Sequence, residues 1–308
     1  MKILFVWTGL TRCAGDCWRA LAACEGVELK VVLDAEPDAA VEREILHDLD
    51  YTLDPTSVPA AYRPDVLFVV GWHSKVVRRF VARADWADVP KVCCFDMPWR
   101  FKLRCFAARF VLARYVRCFA AAYVPGALGE KYARYLGFRR VARGFLSADL
   151  ARFADAPQAV RREGFLFVGR RSPEKRLDLV EAAHRRYRQA GGAWPLVCHH
   201  TTPYGDLPAV YAAAGCLVLA SERDAWPLVA LEAKAAGCDV ILSDRCGNRV
   251  DLPNVHVVRF GDIAALAEKM REVERTSRAR AAACADDLSF WDCRAWAART
   301  VKLAEEIR

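Results

Sequence analysis

Apolar residues in this chain fall into short unbroken runs, and the segments between them carry apolar residues at helical spacing. In the first half the runs lie near positions 3–7, 29–33, 66–70, 92–95 and 121–124. In the second half they lie near 165–168, 195–198, 216–220, 240–242 and 255–258. A strand that alternates apolar and polar residues has one wet face; a run without alternation is covered on both faces, as in a parallel sheet flanked by helices. The pattern therefore predicts an α/β chain with two parallel sheets, one in each half. Helices are predicted at 177–189, stopped by Gly191-Gly192, at 263–273 and at 291–307. Segment 151–162, rich in Ala, Asp, Pro and Arg without a clear period, is predicted to be a linker. The expected domains are 1–150, 151–290 and a terminal helix 291–308 that returns to the first domain.

Composition narrows the class. At 308 residues the chain is long enough for two domains, and 54% apolar with 27% charged residues is a globular balance. No apolar stretch is long enough to span a bilayer without being interrupted by arginines. The opening Met1-Lys2-Ile3-Leu4-Phe5-Val6-Trp7 is too short an apolar run for a signal peptide and is read as a first strand. The thirteen cysteines form no C-x-x-C pair. Cys198-His199-His200 is the nearest approach to a zinc ligand set, and no second ligand pair accompanies it. Reduced, mostly buried cysteines of a cytoplasmic protein are expected.

The net charge of +8 is concentrated between Lys91 and Arg143, where twelve basic residues face only Asp96 and Glu130. Such a field suits an anionic partner. Segment 101–124, which interleaves Arg with Phe, Leu, Val and Tyr, is expected to contain a long amphipathic helix. Its apolar face packs on its own domain or docks on an anionic bilayer. Nucleic acid is not an expected partner, because no recognised module accompanies the charge.

Two segments carry candidate chemistry. Phe167-Val168-Gly169-Arg170-Arg171-Ser172-Pro173-Glu174-Lys175-Arg176 reads as a strand, a glycine turn and a helix start, with Ser172 as its cap. Arg170 and Lys175 could neutralise a diphosphate there, one with a planar fork and the other with a point charge. The second is Ser221-Glu222-Arg223-Asp224-Ala225-Trp226-Pro227-Leu228-Val229, which leads into a helix bearing Glu232, eight positions after Asp224. Neither a Walker loop nor a G-x-G-x-x-G fingerprint is present, which argues against NAD or FAD.

Taken in order, Gly169-Arg170…Lys175-Arg176, Asp206-Leu207-Pro208…Tyr211, Asp224-x7-Glu232-Ala233 and Ala236-Gly237 resemble the donor domain of retaining GT-B glycosyltransferases of family 4, the group 1 type. The resemblance is good over positions 164–270 and rests on architecture elsewhere. It implies two Rossmann-like domains facing across a cleft, with the acceptor side in the first and the nucleotide-sugar donor in the second. It implies that Arg170 and Lys175 hold the diphosphate, that Glu232 bonds the ribose hydroxyls, and that the amides of Leu228 and Val229 face the phosphates. Asp224 stands at the family's first acid, usually Glu, and is shorter by one methylene. Pro227 stands where the family often has Gly.

On the acceptor side, Gly9 in Thr8-Gly9-Leu10-Thr11 matches a glycine loop that faces the phosphates. Phe95 occupies the position where the family often has a His, which makes the adjacent Asp96 a candidate catalytic group and His73 a second acceptor-side candidate. Neither is assigned as the base. The expected activity is transfer of a sugar from a nucleotide-diphosphate donor to a hydroxyl, with retention, by a hexosyltransferase-type enzyme without metal or other cofactor. A glycan or lipid-linked acceptor, a role in cell-envelope or surface polysaccharide and glycolipid biosynthesis, and a cytoplasmic location peripheral to the inner membrane face complete the expectation. A nucleotide-sugar-binding protein without catalysis and a GT-B-fold sugar-nucleotide epimerase are the alternatives.

Overall fold

The computed structural model describes residues 1–8, 12–34, 46, 48–53, 58–59, 61–70, 74–99, 103–156, 162–277 and 286–308. The chain divides into two compact units, one formed by Met1–Asp149 with Phe290–Arg308 and the other by Leu150–Ser289.

The first unit is built on a seven-stranded parallel sheet. Its strands are β1 (Lys2–Trp7), β2 (Glu28–Leu33), β3 (Tyr51–Leu53), β4 (Val66–Val70), β5 (Lys91–Cys94), β6 (Ala121–Val124) and β7 (Val141–Arg143). They lie in the order β3-β2-β1-β4-β5-β6-β7, so the direction of winding reverses between β1 and β4. The five expected runs are all strands; β3 and β7 are additional. Both are three-residue edge strands, partly exposed, and too short and polar to stand out in the sequence. The core is aromatic. Phe5 stacks on Phe68 with ring centroids 4.7 Å apart, and Trp7 meets Trp18 edge-on at 5.1 Å. The terminal helix Cys293–Ile307 adds Trp296, 5.8 Å from Phe5, and the Trp296 indole donates to Phe145 O. Burying each such ring contributes about 1.5–3 kcal/mol, enough to fix this helix on the first sheet.

The second unit has a five-stranded parallel sheet of β8 (Phe165–Val168), β9 (Leu196–His199), β10 (Cys216–Leu219), β11 (Asp239–Ser243) and β12 (His256–Val258). The order is β12-β11-β10-β8-β9, so here the reversal falls between β8 and β10. The helix Leu177–Gln189 has the predicted bounds, and Ile263–Ser277 runs four residues beyond the expected end.

Three expectations need correction. The segment read as a linker begins with a helix, Leu150–Ala154, whose Phe153 is fully buried against Tyr204 and Tyr211. Segment 101–124 holds no single long helix among its described residues: it forms Leu103–Val111, a break at Leu112, the short helix Ala113–Val116 and then β6. Ser172 is the N-cap and Pro173 opens the helix as expected, but the helix is a 3-10 turn, Pro173–Lys175, the Ser172 side chain makes no cap bond, and the α-helix starts only at Leu177. Arg176, in the left-handed region at φ 48°, makes the change of direction between the two.

Candidate active site

In an open parallel sheet, a crevice forms where adjacent strands send their following connections in opposite directions. In the second unit that place lies between β8 and β10, and the two segments singled out in the sequence are the loops that leave these strands. Residues far apart in sequence thus meet. Lys175 Nζ donates to Asp224 Oδ2 at 2.6 Å across 49 positions of chain. Their side chains are only 17% and 12% exposed, so water screens the pair weakly. The loops are also joined through the backbone, where Glu222 N donates to Glu174 O at 2.8 Å.

The turn after β8 is shaped by Gly169, whose φ of 155° disfavours any side chain, and its amide donates to His199 O. His200 supports the same turn. Arg171 Nε donates to His200 Nε2 at 3.2 Å, which places the imidazole proton on Nδ1, 2.9 Å from the Gly169 carbonyl that accepts it. Arg170 follows on the exposed side of the turn.

The loop after β10 is held by a second layer that the sequence reading missed. Segment 243–251, which follows β11, contacts it repeatedly. Ser243 Oγ donates to Ser221 O at 2.6 Å, and Gly247 N donates to Asp224 O at 3.0 Å. Asn248 Nδ2 donates to Pro227 O at 2.9 Å, and the Trp226 indole donates to Asp251 Oδ2 at 3.0 Å. Gly247 is required by space, because a Cβ there would lie 1.7 Å from Ala225 O. Burial pushes the Cys246 thiol up to about 12, with the nearby Asp224 charge acting in the same direction, so this cysteine is a packing group. Two buried oxygens beside the loop, Ser221 Oγ and Asn248 Oδ1, have no hydrogen-bond partner. The only signal for this brace was a turn of small and polar residues after an apolar strand, Cys246-Gly247-Asn248, which carries no motif.

Pro227 is the N-cap of the helix Leu228–Ala235, and no side chain caps that helix. Leu228 and Val229 are therefore its first two residues, with their amides at the positive end of the helix dipole. Glu232 is buried, and its Oε2 accepts from Tyr211 OH at 2.8 Å. Burial first, then the Glu232 charge, pushes the Tyr211 phenol well above its ordinary range, so Tyr211 stays a donor to the carboxylate.

The structure brings Lys175 and Asp224 together, places Arg170 on the adjoining turn, and puts Leu228 and Val229 at a helix start on the same loop. On the first sheet, Asp96 follows β5 and is exposed. Gly9 and His73 lie outside the described residues. The described cysteines are free thiols. Of the zinc-like run, His199 Nδ1 contacts Thr202 Oγ1 and His200 is committed to the Gly169 turn. Among the described residues, one group, Asp149, Asp292 and Cys293, brings potential ligand atoms within 4.8 Å of one another; it belongs to the first unit and its end, away from the β8–β10 loops in sequence.

Residues 195–285 match the sequence model of the family described as glycosyl transferases group 1. No curated protein sequence matches the chain. Solved structures with the same architecture cover nearly its whole length. HepE of Anabaena, solved with UDP and glucose, has a TM-score of 0.66 at 13% identity over 99% of this chain and 100% of its own. Sucrose-phosphate synthase of Thermosynechococcus elongatus gives 0.68 at 15% identity, covering 99% and 98%. A glycosyltransferase of Rickettsia africae gives 0.74 at 10% identity, again covering 99% and 98%. The resemblance to group 1 glycosyl transferases thus holds in sequence over 195–285, and the two Rossmann-like units are those of the GT-B fold.

Proposed function

We propose that the chain is a metal-independent, retaining glycosyltransferase of hexosyltransferase type that uses a nucleotide-diphosphate sugar. The observation that carries this reading is the switch point between β8 and β10, where the loop bearing Arg170 and Lys175 is ion-paired to the loop bearing Asp224. Arg170, Lys175 and the amides of Leu228 and Val229 supply the positive field for the diphosphate. Lys175 turns towards phosphate when the donor arrives and leaves Asp224 free to orient sugar hydroxyls and to offset the positive charge of an oxocarbenium-like transition state. Glu232, held by Tyr211, takes the ribose hydroxyls.

The first unit provides the acceptor side, with Gly9, Asp96 and His73 as its candidate residues. A glycan or lipid-linked hydroxyl is the acceptor, in envelope polysaccharide or glycolipid synthesis on the cytoplasmic side, with the protein peripheral to an anionic membrane. Domain closure over the donor is the expected conformational step. UDP sugars are the first donors to test, because HepE has been solved with UDP and with UDP-glucose.

The test is release of nucleoside diphosphate from a panel of nucleotide sugars in the presence of acceptor mixtures. Release that disappears in Arg170→Ala and in Asp224→Ala supports the transferase. Tight donor binding without turnover supports a second reading, a nucleotide-sugar-binding protein, which the ion-paired, shortened acid at Asp224 favours.

A further inference from the structure

The helix Leu103–Val111 presents its apolar stripe outward. Leu103 is 88% exposed, Phe110 78% and Val111 77%. With Ala107 they recur at i, i+4, i+7 and i+8, the spacing of one helix face. Such a stripe ordinarily faces the core. Here Cys105 is the buried residue of the helix, and Phe106, edge-on to Trp99 at 5.2 Å, ties it down. On the neighbouring helix, Tyr135 OH donates to Phe106 O, and Arg109 donates to Tyr135 O. The helix is thus fixed in an orientation that leaves the stripe uncovered.

The charge around it has one sign. Residues 103–117 contain Arg104, Arg109, Arg114 and Arg117 and no acid. Several other members of the basic run are already engaged. Lys91 is buried and donates to Trp86 O and Val89 O, Arg134 and Arg143 pair with Glu130, and Arg140 pairs with Glu306. Arg104, Arg114 and Arg117 are exposed on this helix and just after it, so positive charge accompanies the exposed stripe.

We infer that this face inserts into an anionic bilayer, with Leu103, Phe110 and Val111 among the acyl chains and the arginines on lipid phosphates. A nine-residue helix, about 14 Å long, is too short to cross a membrane and lies in the interface plane. A second copy of the chain is a poorer occupant, because an isologous contact would bring two sets of uncompensated arginines together. The inference deepens the membrane part of the proposed function and does not depend on the donor chemistry.

The test is co-sedimentation of the whole chain with phosphatidylglycerol-containing vesicles and with pure phosphatidylcholine vesicles, at low and high salt. Binding is expected to the anionic vesicles at low salt. Replacing Leu103, Phe110 and Val111 together by Ser lowers partitioning by about tenfold or more. Arg104→Gln and Arg114→Gln lower it by about fivefold each. The thermal midpoint and the shift produced by nucleotide sugars stay unchanged in the triple variant, which separates this result from failure of the donor site. No binding to anionic vesicles, equal binding by the triple variant, or a dimer in wild type that the triple variant abolishes each overturns the inference.

Discussion

Both sheets are parallel and reverse their winding once, and they differ in strand number, strand order and what stands at their switch points. Between β8 and β10 the exits carry Arg170, Lys175 and Asp224, the last two joined by a partly buried ion pair, and the second exit is braced by Ser243, Gly247, Asn248 and Asp251. Around β1 and β4 the described residues include Thr8, which donates to Asp34, the exposed Lys75 at the start of the helix after β4, and the exposed Asp96 after β5. The second layer fixes the loop that carries Asp224, so in the proposed function donor binding requires the Lys175 side chain to turn and leaves the loop in place. The proposed function puts the diphosphate at the second unit's switch point and the acceptor on the first unit.

The contrast can be broken by substitution, and the effects should fall in order. Lys175→Ala leaves a partly buried carboxylate without its cation and should cost about 3 kcal/mol of stability, the low end for breaking a buried pair. Lys175→Ala combined with Asp224→Ala should recover part of that loss, as measured by urea unfolding. Gly247→Ala comes next, at about 3 kcal/mol, because the new methyl meets the Ala225 carbonyl and overpacking displaces the loop. Nucleotide-sugar affinity should fall with it, and unaltered affinity would mean that the brace does not position Asp224. Tyr211→Phe removes the hydroxyl that Glu232 accepts from and should cost about 1.5–3 kcal/mol. The smallest effect is expected on the first sheet: Asp96→Ala, at an exposed position, should change stability by about 1 kcal/mol or less and lower turnover without weakening donor binding.

The same comparison shows what the sequence could carry. Continuous apolar runs announce central parallel strands, and all ten expected runs are strands. The edge strands β3 and β7 were hidden because an edge needs only one partner and tolerates polar neighbours such as Thr52 and Arg143. Charged residues just after a strand are legible, so Arg170, Lys175 and Asp224 could be picked out. Their pairing could not, because it requires β8 and β10 to be neighbours although β9 separates them in the chain. The brace was invisible for a different reason: Gly247 and Asn248 act through backbone contacts and a single amide, and nothing in their spacing marks it. The outward stripe of Leu103, Phe110 and Val111 marks a third limit. Periodicity shows that a helix has an apolar face, and only packing shows which way that face points.

The central claim is that the second unit's switch point holds the donor diphosphate, and calorimetric titration of a nucleotide-diphosphate sugar against Arg170→Ala and Asp96→Ala tests it most directly. A charge-assisted bond to phosphate contributes about 1.5–3 kcal/mol, so Arg170→Ala should weaken binding by about tenfold or more while Asp96→Ala leaves it unchanged. Equal affinities in the two variants, or a loss confined to Asp96→Ala, would contradict the account.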